Sequence, residues 1–142
     1  MAQRMTAREY ENFMLVRART ATLATVRADG RPHAAPIWFD LDGDILVFTT
    51  GESTVKGRNM RRDPRVSLCI DDEEPPFHFV VIEGKAELTA EDPDILRWAT
   101  RIGGRYMGAE RAEEYGRRNA VASELLVRVT PQKILAYKNI SD

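Results

Sequence analysis

The chain has 142 residues and a formal net charge of -1, and 43% of its residues are hydrophobic while 30% are charged. This size and balance predict one soluble globular domain over residues 1–142, and the near-neutral charge argues against a nucleic-acid partner. No apolar run approaches the about 20 residues of a membrane helix, and the one cysteine, Cys69, excludes an internal disulfide and predicts a cytoplasmic setting.

The first third of the chain predicts one helix and then three antiparallel strands. Thr6 and Glu9 have the spacing of a capping box, so a helix should begin there. Residues rich in Val, Ile, Thr, Phe and Trp follow, interrupted by two Asp-Gly pairs that favour tight hairpin turns. We therefore predict strands at 20–27, 32–41 and 44–50.

A short helix should follow the third strand. Ser53 or Thr54 can cap its first turn, and Pro64 should end it. The segments "RVSLCID" and "FHFVVIEGKAEL" read as two further strands, the first because its apolar residues alternate with polar ones.

The last third predicts one or two helices and a final strand, "SELLVRVTPQKILAY". We expect Gly103-Gly104 to break the helical run. Glu114 and Arg118 have the i,i+4 spacing of a solvent-exposed helix face. Together the elements predict a small β-barrel with helices at its margins, a mixed α+β fold.

Five cations are concentrated in "GESTVKGRNMRRDPRV", which is unusual in a nearly neutral chain. They are Lys56, Arg58, Arg61, Arg62 and Arg65. One interpretation is a solvated surface helix. The other is a phosphate site, because hydroxyl-bearing residues flank a helix start and a first-turn cation opposes the helix dipole unless an anion is bound there.

Pro36 stands inside the predicted second strand, within "HAAPIWFDL". Proline cannot donate to a sheet ladder, so it marks an edge, a bulge or an unusual site. The small residues before it would let a flat group approach the backbone, with Trp38 and Phe39 as walls of a pocket. The alternative is a core tryptophan in an edge strand.

The order of elements from "TLATVRADGRPHAAPIWFDLDGDILVFTT" through the lysine-bearing helix and "RRDPRVSL" resembles the split β-barrel flavin and deazaflavin oxidoreductases. This is the superfamily of pyridoxine 5′-phosphate oxidase, and the chain is most similar to its branch that binds the deazaflavin coenzyme F-420. The resemblance implies a six-stranded antiparallel split barrel (the FMN-binding split barrel). It also implies a homodimer with two cofactor sites at the interface.

The resemblance also implies which residues bind the cofactor. The cofactor ring would lie along Ala35, Pro36, Ile37 and Trp38, and Phe79 would approach it from the fifth strand. The phosphate would be held by Thr49, Thr50 and Lys56, with Ser53, Thr54 and Asn59 as neighbouring candidates. Arg62, with Arg58 and Arg61, would meet the glutamate tail of F-420.

Departures from the family pattern argue against pyridoxine-phosphate oxidation. Val55 stands where those oxidases carry an arginine before the lysine, Phe79 replaces a glutamine, and the C-terminal Arg-x-His motif is missing. The extra arginines favour F-420 as the cofactor, with FMN as the alternative.

The expected function is hydride transfer from reduced F-420 to an electron-poor small molecule of the enone, quinone or tetrapyrrole type. The cofactor would carry the chemistry, so the sequence identifies no catalytic residue. His33, His78 and Cys69 lack metal-ligand spacing, so we expect no metal. The alternatives are an FMN-binding pyridoxamine-phosphate-oxidase-like protein, a non-catalytic dimer that holds flavin, deazaflavin or haem, and a structural domain with an empty pocket.

Overall fold

One antiparallel sheet of eight strands runs through the computed structural model, which describes residues 1–142. The strands are β1 (Gln3–Arg4), β2 (Ala21–Val26), β3 (Pro32–Ile37), β4 (Asp40–Asp42), β5 (Ile45–Gly51), β6 (Arg65–Asp71), β7 (Phe79–Ala90) and β8 (Glu124–Lys138). The helices are α1 (Ala7–Leu15), α2 (Val55–Arg62), α3 (Ile95–Met107), a 3₁₀ turn (Ala109–Arg111) and α4 (Ala112–Asn119). None of these helices combines the length and the apolar character that crossing a membrane requires.

The predicted strands are present, with one change and two short additions. Both Asp-Gly turns are confirmed, because Gly30 and Gly43 have φ values of 87° and 61° between antiparallel partners. The predicted strand at 32–41 was wrong in its extent, since β3 ends at Ile37 and β4 begins at Asp40. The sheet has eight strands where six were expected, and two of the eight, β1 and β4, are only two and three residues long.

The interruption between β3 and β4 closes the barrel. The strand order is β3-β2-β6-β7-β8-β5-β4, so β3 and β4 lie at opposite ends of the sheet. Only Trp38 and Phe39 separate them in the chain, and a segment this short spans roughly 10 Å even when fully extended. The sheet must therefore curl until its two ends meet, which is the geometry of a barrel.

The barrel interior holds a core of 19 buried hydrophobic residues. The alternation in β6 is confirmed, since Val66, Leu68 and Ile70 point into this core. Phe39 and Phe48 are fully buried there. Because Phe39 enters the core, the neighbouring Trp38 is turned to the opposite side of the chain.

Local capping signals place the starts of α1 and α2. The Glu9 amide donates to the Thr6 hydroxyl and the Thr6 amide donates to the Glu9 carboxylate, which confirms the capping box. In α2 the cap is Thr54 rather than Ser53, because the Thr54 hydroxyl accepts from the Gly57 amide at 3.0 Å.

The predicted helix break at Gly103-Gly104 was wrong. Helix α3 continues through both glycines to Met107 and ends at Gly108, where φ is 96°. A Cβ atom on Gly103 would lie 2.7 Å from the Tyr115 Cβ atom, and one on Gly116 would lie 2.1 Å from the Thr100 hydroxyl oxygen. These glycines instead let α3 and α4 pack closely together.

Candidate functional site

A cavity of about 520 Å³ lies where β3, β5, α2, α4 and β8 meet. Its lining residues come from both halves of the chain and are Thr20, Pro36, Ile37, Trp38, Thr49, Lys56, Ile102, Arg118, Asn119 and Glu124. The cavity thus has an apolar side around Trp38 and a charged side around Lys56.

The apolar side is built on a fixed indole ring. Trp38 stacks on Tyr106 with ring centroids 4.9 Å apart and planes 4° apart, and Tyr115 lies 6.0 Å from the indole centroid. The Tyr106 hydroxyl donates to the Arg19 carbonyl at 2.6 Å and accepts from the Phe39 amide at 3.1 Å. Burial raises the pKa of Tyr106, so its hydroxyl stays protonated and keeps donating. The indole is therefore held in one orientation.

The charged side lies beside the start of α2. Thr49 lies two residues before the end of β5, and Lys56 is the second residue of the helix. A Cβ atom on Gly57 would lie 2.5 Å from the Gly51 carbonyl oxygen, so glycine is required for α2 to approach β5 this closely. A helix N-terminus carries a partial positive charge, and Lys56 adds a full one. Together they suit a phosphate or a carboxylate.

A carboxylate, Glu124, shares this corner and was not predicted. It is the first residue of β8 and pairs with Gly51 of β5. Burial raises the pKa of the Glu124 carboxyl, while the Thr49 hydroxyl and the Lys56 ammonium each oppose part of that rise. A positive charge, on Lys56, and a negative charge, on Glu124, therefore both line this corner of the cavity.

Arg118 and Asn119 line the cavity from the end of α4. The predicted Glu114–Arg118 pair is replaced, because Arg111 binds Glu114 at 2.9 Å. The Arg118 guanidinium instead lies 5.2 Å from the centroid of the Tyr115 ring. Arg118 is exposed, but it contributes a second cation to the cavity rather than belonging to a purely solvated face.

The structure brings together five of the predicted site residues, which are Pro36, Ile37, Trp38, Thr49 and Lys56. Three others lie close by without lining the cavity. Ala35 pairs with Leu23 in the sheet, Thr50 is buried with its hydroxyl 3.2 Å from that of Thr54, and Ser53 is exposed.

Asn59 and Arg62 attach α2 to the barrel. Asn59 is buried and donates to the Thr25 hydroxyl at 3.0 Å, while its own carbonyl accepts from Arg62 at 3.1 Å. Arg62 also donates to the Val26 carbonyl at 2.6 Å. The amide of Asn59 is thus engaged within the chain, and both residues lie away from the Lys56 cavity.

Phe79 lies apart from these residues, at the start of β7. Its ring packs against Tyr137 with centroids 5.7 Å apart. It does not line the cavity within one chain.

The cations of the basic stretch lie on several different surfaces of the protein. Arg58 and Arg62 line a second cavity of about 410 Å³ on another side of α2, with Arg27 and Arg31 of the first hairpin. Arg65 instead binds Asp63 at 2.7 Å, and hydrogen bonds from Arg65 lower the pKa of Asp63 to about 2. Lys56 is therefore the one cation of the stretch that faces the Trp38 cavity.

Five lining residues were missed by sequence reasoning, namely Thr20, Ile102, Arg118, Asn119 and Glu124. Four of them belong to no local motif, and the i,i+4 spacing had placed Arg118 on a solvent-exposed helix face. All five lie beside the end of a helix or strand or inside α3. Packing of α3 on β5 and of α4 on α3 brings Ile102, Arg118 and Asn119 to the cavity, and the pairing of β5 with β8 brings Glu124.

Comparisons with known proteins agree with this architecture. The chain is 33% identical over 100 residues to a pyridoxine/pyridoxamine 5′-phosphate oxidase of Cupriavidus pinatubonensis, which covers 66% of this chain and 44% of that protein. It therefore spans less than half the length of that relative. A conserved hypothetical protein of Mycobacterium tuberculosis superposes with a TM-score of 0.82 at 28% identity, over 95% of this chain and 86% of that one.

A solved F-420 reductase also superposes, with a TM-score of 0.63 at 25% identity, over 87% of this chain and 94% of that one. The family model described as pyridoxamine 5′-phosphate oxidase matches residues 7–138, which is nearly the whole chain. The split-barrel fold and this match together identify the chain as a member of the pyridoxamine 5′-phosphate oxidase family.

Proposed function

We propose that this protein is an oxidoreductase that uses reduced F-420 to reduce an electron-poor small molecule of the enone, quinone or tetrapyrrole type. The observation that carries the proposal is one cavity that joins a cationic corner at Lys56 to a flat aromatic wall at Trp38. The similarity to an F-420 reductase supports the choice of cofactor.

The lining residues suit the two ends of such a cofactor. Lys56 and the Thr49 hydroxyl can bind its phosphate beside the start of α2. Pro36 and Ile37 offer an apolar surface next to Trp38, where a planar ring can pack. When bound, reduced F-420 supplies a hydride to the acceptor.

The chain's own contribution is to bind and to orient the cofactor and the acceptor. Tyr106 holds the indole of Trp38 flat, so the aromatic wall is ordered before any ligand arrives. Arg118 and Asn119 line the same cavity as Lys56 and can bind carbonyl or carboxylate oxygens of the cofactor or acceptor.

FMN is the second candidate cofactor, and membership in this family favours it. The corner at Lys56 and Thr49 offers the same donors to the phosphate of FMN. An FMN-binding protein of the pyridoxamine-phosphate-oxidase type would use the same cavity.

Titration of the purified protein with F-420 and, separately, with FMN tests the cofactor. Fluorescence of each ligand reports binding, and we expect F-420 to bind at least about tenfold more tightly than FMN. Anaerobic mixing with reduced F-420 and a quinone then tests turnover. Tighter binding of FMN would contradict the cofactor, and binding without turnover would favour a non-catalytic carrier.

We also propose that the protein acts as a homodimer. The family resemblance places Phe79 against the cofactor, but Phe79 does not line the cavity of its own chain, and a cofactor shared between two copies would account for this. Exposed apolar side chains, which include Val16, Phe77, Leu96 and Val121, offer surface for such contact. Sedimentation should give a mass near twice 16.1 kDa, and a monomer that binds cofactor tightly would contradict the dimer.

A further inference from the structure

We propose that Glu124 makes this cavity selective for a singly charged phosphate group, such as the phosphodiester of F-420, over the doubly charged phosphate monoester of FMN. The inference rests on the proposed function, because it assumes that the phosphate of the cofactor binds beside Lys56. Glu124, a side chain that belongs to no sequence motif, would thus discriminate between the two cofactors.

Three charged side chains line the cavity. Lys56 reaches it from α2, Arg118 from α4 and Glu124 from β8, and no other charged residue lines it. Their sum is one positive charge. A phosphodiester with one negative charge neutralises that sum, whereas a phosphate monoester carries about -1.5 to -2 at neutral pH and leaves excess negative charge beside the carboxylate.

Glu124 is held where it meets that charge. Its backbone pairs with Gly51 in the β5–β8 ladder, immediately before the turn that leads into α2. A Cβ atom on Gly51 would lie 3.7 Å from one Glu124 carboxylate oxygen, so this oxygen lies against the β5 strand. An anion beside Lys56 and Thr49 therefore has the carboxylate as a neighbour.

The carboxyl can escape the repulsion by taking up a proton. Burial already raises the pKa of Glu124, and a second anion in the same corner raises it further. The monoester should thus bind together with a proton, which weakens its binding as pH rises. A neutral side chain of the same shape should remove this cost.

The test compares the parent protein with Glu124→Gln in titrations with FMN, riboflavin and F-420 at about pH 7 and fixed ionic strength. Riboflavin lacks the phosphate, so the ratio of FMN to riboflavin affinity isolates the phosphate contribution. We expect the substitution to raise that ratio by about tenfold and to change F-420 affinity by less than about threefold. Glu113→Gln, on the exposed face of α4, is the matched control and should change neither.

An unchanged ratio of FMN to riboflavin affinity in Glu124→Gln would overturn the inference. Calorimetry of the parent protein in two buffers of different ionisation enthalpy gives a check without a variant, since FMN binding should take up more protons than F-420 binding. If the parent prefers FMN to F-420 but the ratio still rises in Glu124→Gln, the proposed cofactor is wrong while the role of Glu124 stands. A parent that binds neither ligand contradicts both proposals.

Discussion

Trp38 and Tyr106 lie face to face, 68 positions apart in the chain, with ring planes 4° apart. Tyr106 comes from α3, and its hydroxyl bonds two backbone groups, at Arg19 and Phe39. The phenol thereby joins α3 to the segment that closes the barrel, and it orders the aromatic wall of the candidate site.

Tyr106→Phe should destabilise the protein by about 1–3 kcal/mol, because it leaves the buried Phe39 amide and the Arg19 carbonyl without their shared partner. Urea unfolding measures the change. Tyr137→Phe is the control, since the Tyr137 hydroxyl has only a long, exposed contact with Arg4 at 3.4 Å. Equal stability of Tyr106→Phe and the parent would contradict a structural role for the hydroxyl.

Lys56→Ala should weaken binding of F-420 or FMN by about ten- to a hundred-fold, because it removes a charge-assisted hydrogen bond to the phosphate. Fluorescence titration at fixed ionic strength measures this. Lys85→Ala is the matched control, as Lys85 is an exposed lysine on β7 and lines neither cavity beside α2. Arg118 is unsuitable as a control because it lines the cavity. Unchanged affinity in Lys56→Ala would contradict the phosphate site and favour the alternative interpretation, in which the basic stretch is a solvated surface helix.

Gly116→Ala should destabilise the protein by about 1–3 kcal/mol, although alanine favours helices. The new methyl group would lie 2.1 Å from the Thr100 hydroxyl oxygen and 3.0 Å from the Thr100 Cα atom, so α3 and α4 must separate. Thermal unfolding tests this, with Arg117→Ala on the exposed face of α4 as the control. Because α4 carries Arg118 and Asn119, cofactor affinity should fall as well. A stabilised Gly116→Ala variant would show that the helices are not closely packed.

Asp92 should contribute stability that depends on pH. Its buried carboxylate accepts from Arg128 at 2.9 Å and from the Asp94 amide at 2.8 Å. The Arg128 hydrogen bond is the main reason that the pKa of Asp92 is lowered in the folded protein. A lowered folded-state pKa stabilises above the unfolded value of about 3.9, and this stabilisation is lost as the pH falls through the folded value.

Asp92→Asn should therefore cost about 1–2 kcal/mol at neutral pH and progressively less as the pH falls from about 5 to about 3. Denaturant unfolding across this window measures the difference. Asp94→Asn, whose exposed carboxylate lies 3.5 Å from Arg97, should show a much smaller dependence. A cost for Asp92→Asn that stays constant with pH would contradict the ion pair as its source.

Local features of the sequence predicted most of the barrel. The Thr6–Glu9 capping box, the two Asp-Gly turns and the alternation in "RVSLCID" depend on residues only a few positions apart, and all three are present. The failed prediction at Gly103-Gly104 has the same origin, because glycine is a helix breaker locally and a close-packing residue only when a second helix lies against it.

The residues of the candidate site also fall into two groups, those in local sequence patterns and those brought together by long-range contacts. The cationic helix start at Lys56 and the apolar segment from Pro36 to Trp38 could be predicted from the sequence, since both are contiguous patterns. That Glu124 and Arg118 line the same cavity as these residues follows from the folded structure and not from any local pattern. Closure of the barrel through Trp38-Phe39 and the glycine-mediated contact of α3 with α4 bring these residues together, and both depend on contacts between segments that are distant in the chain.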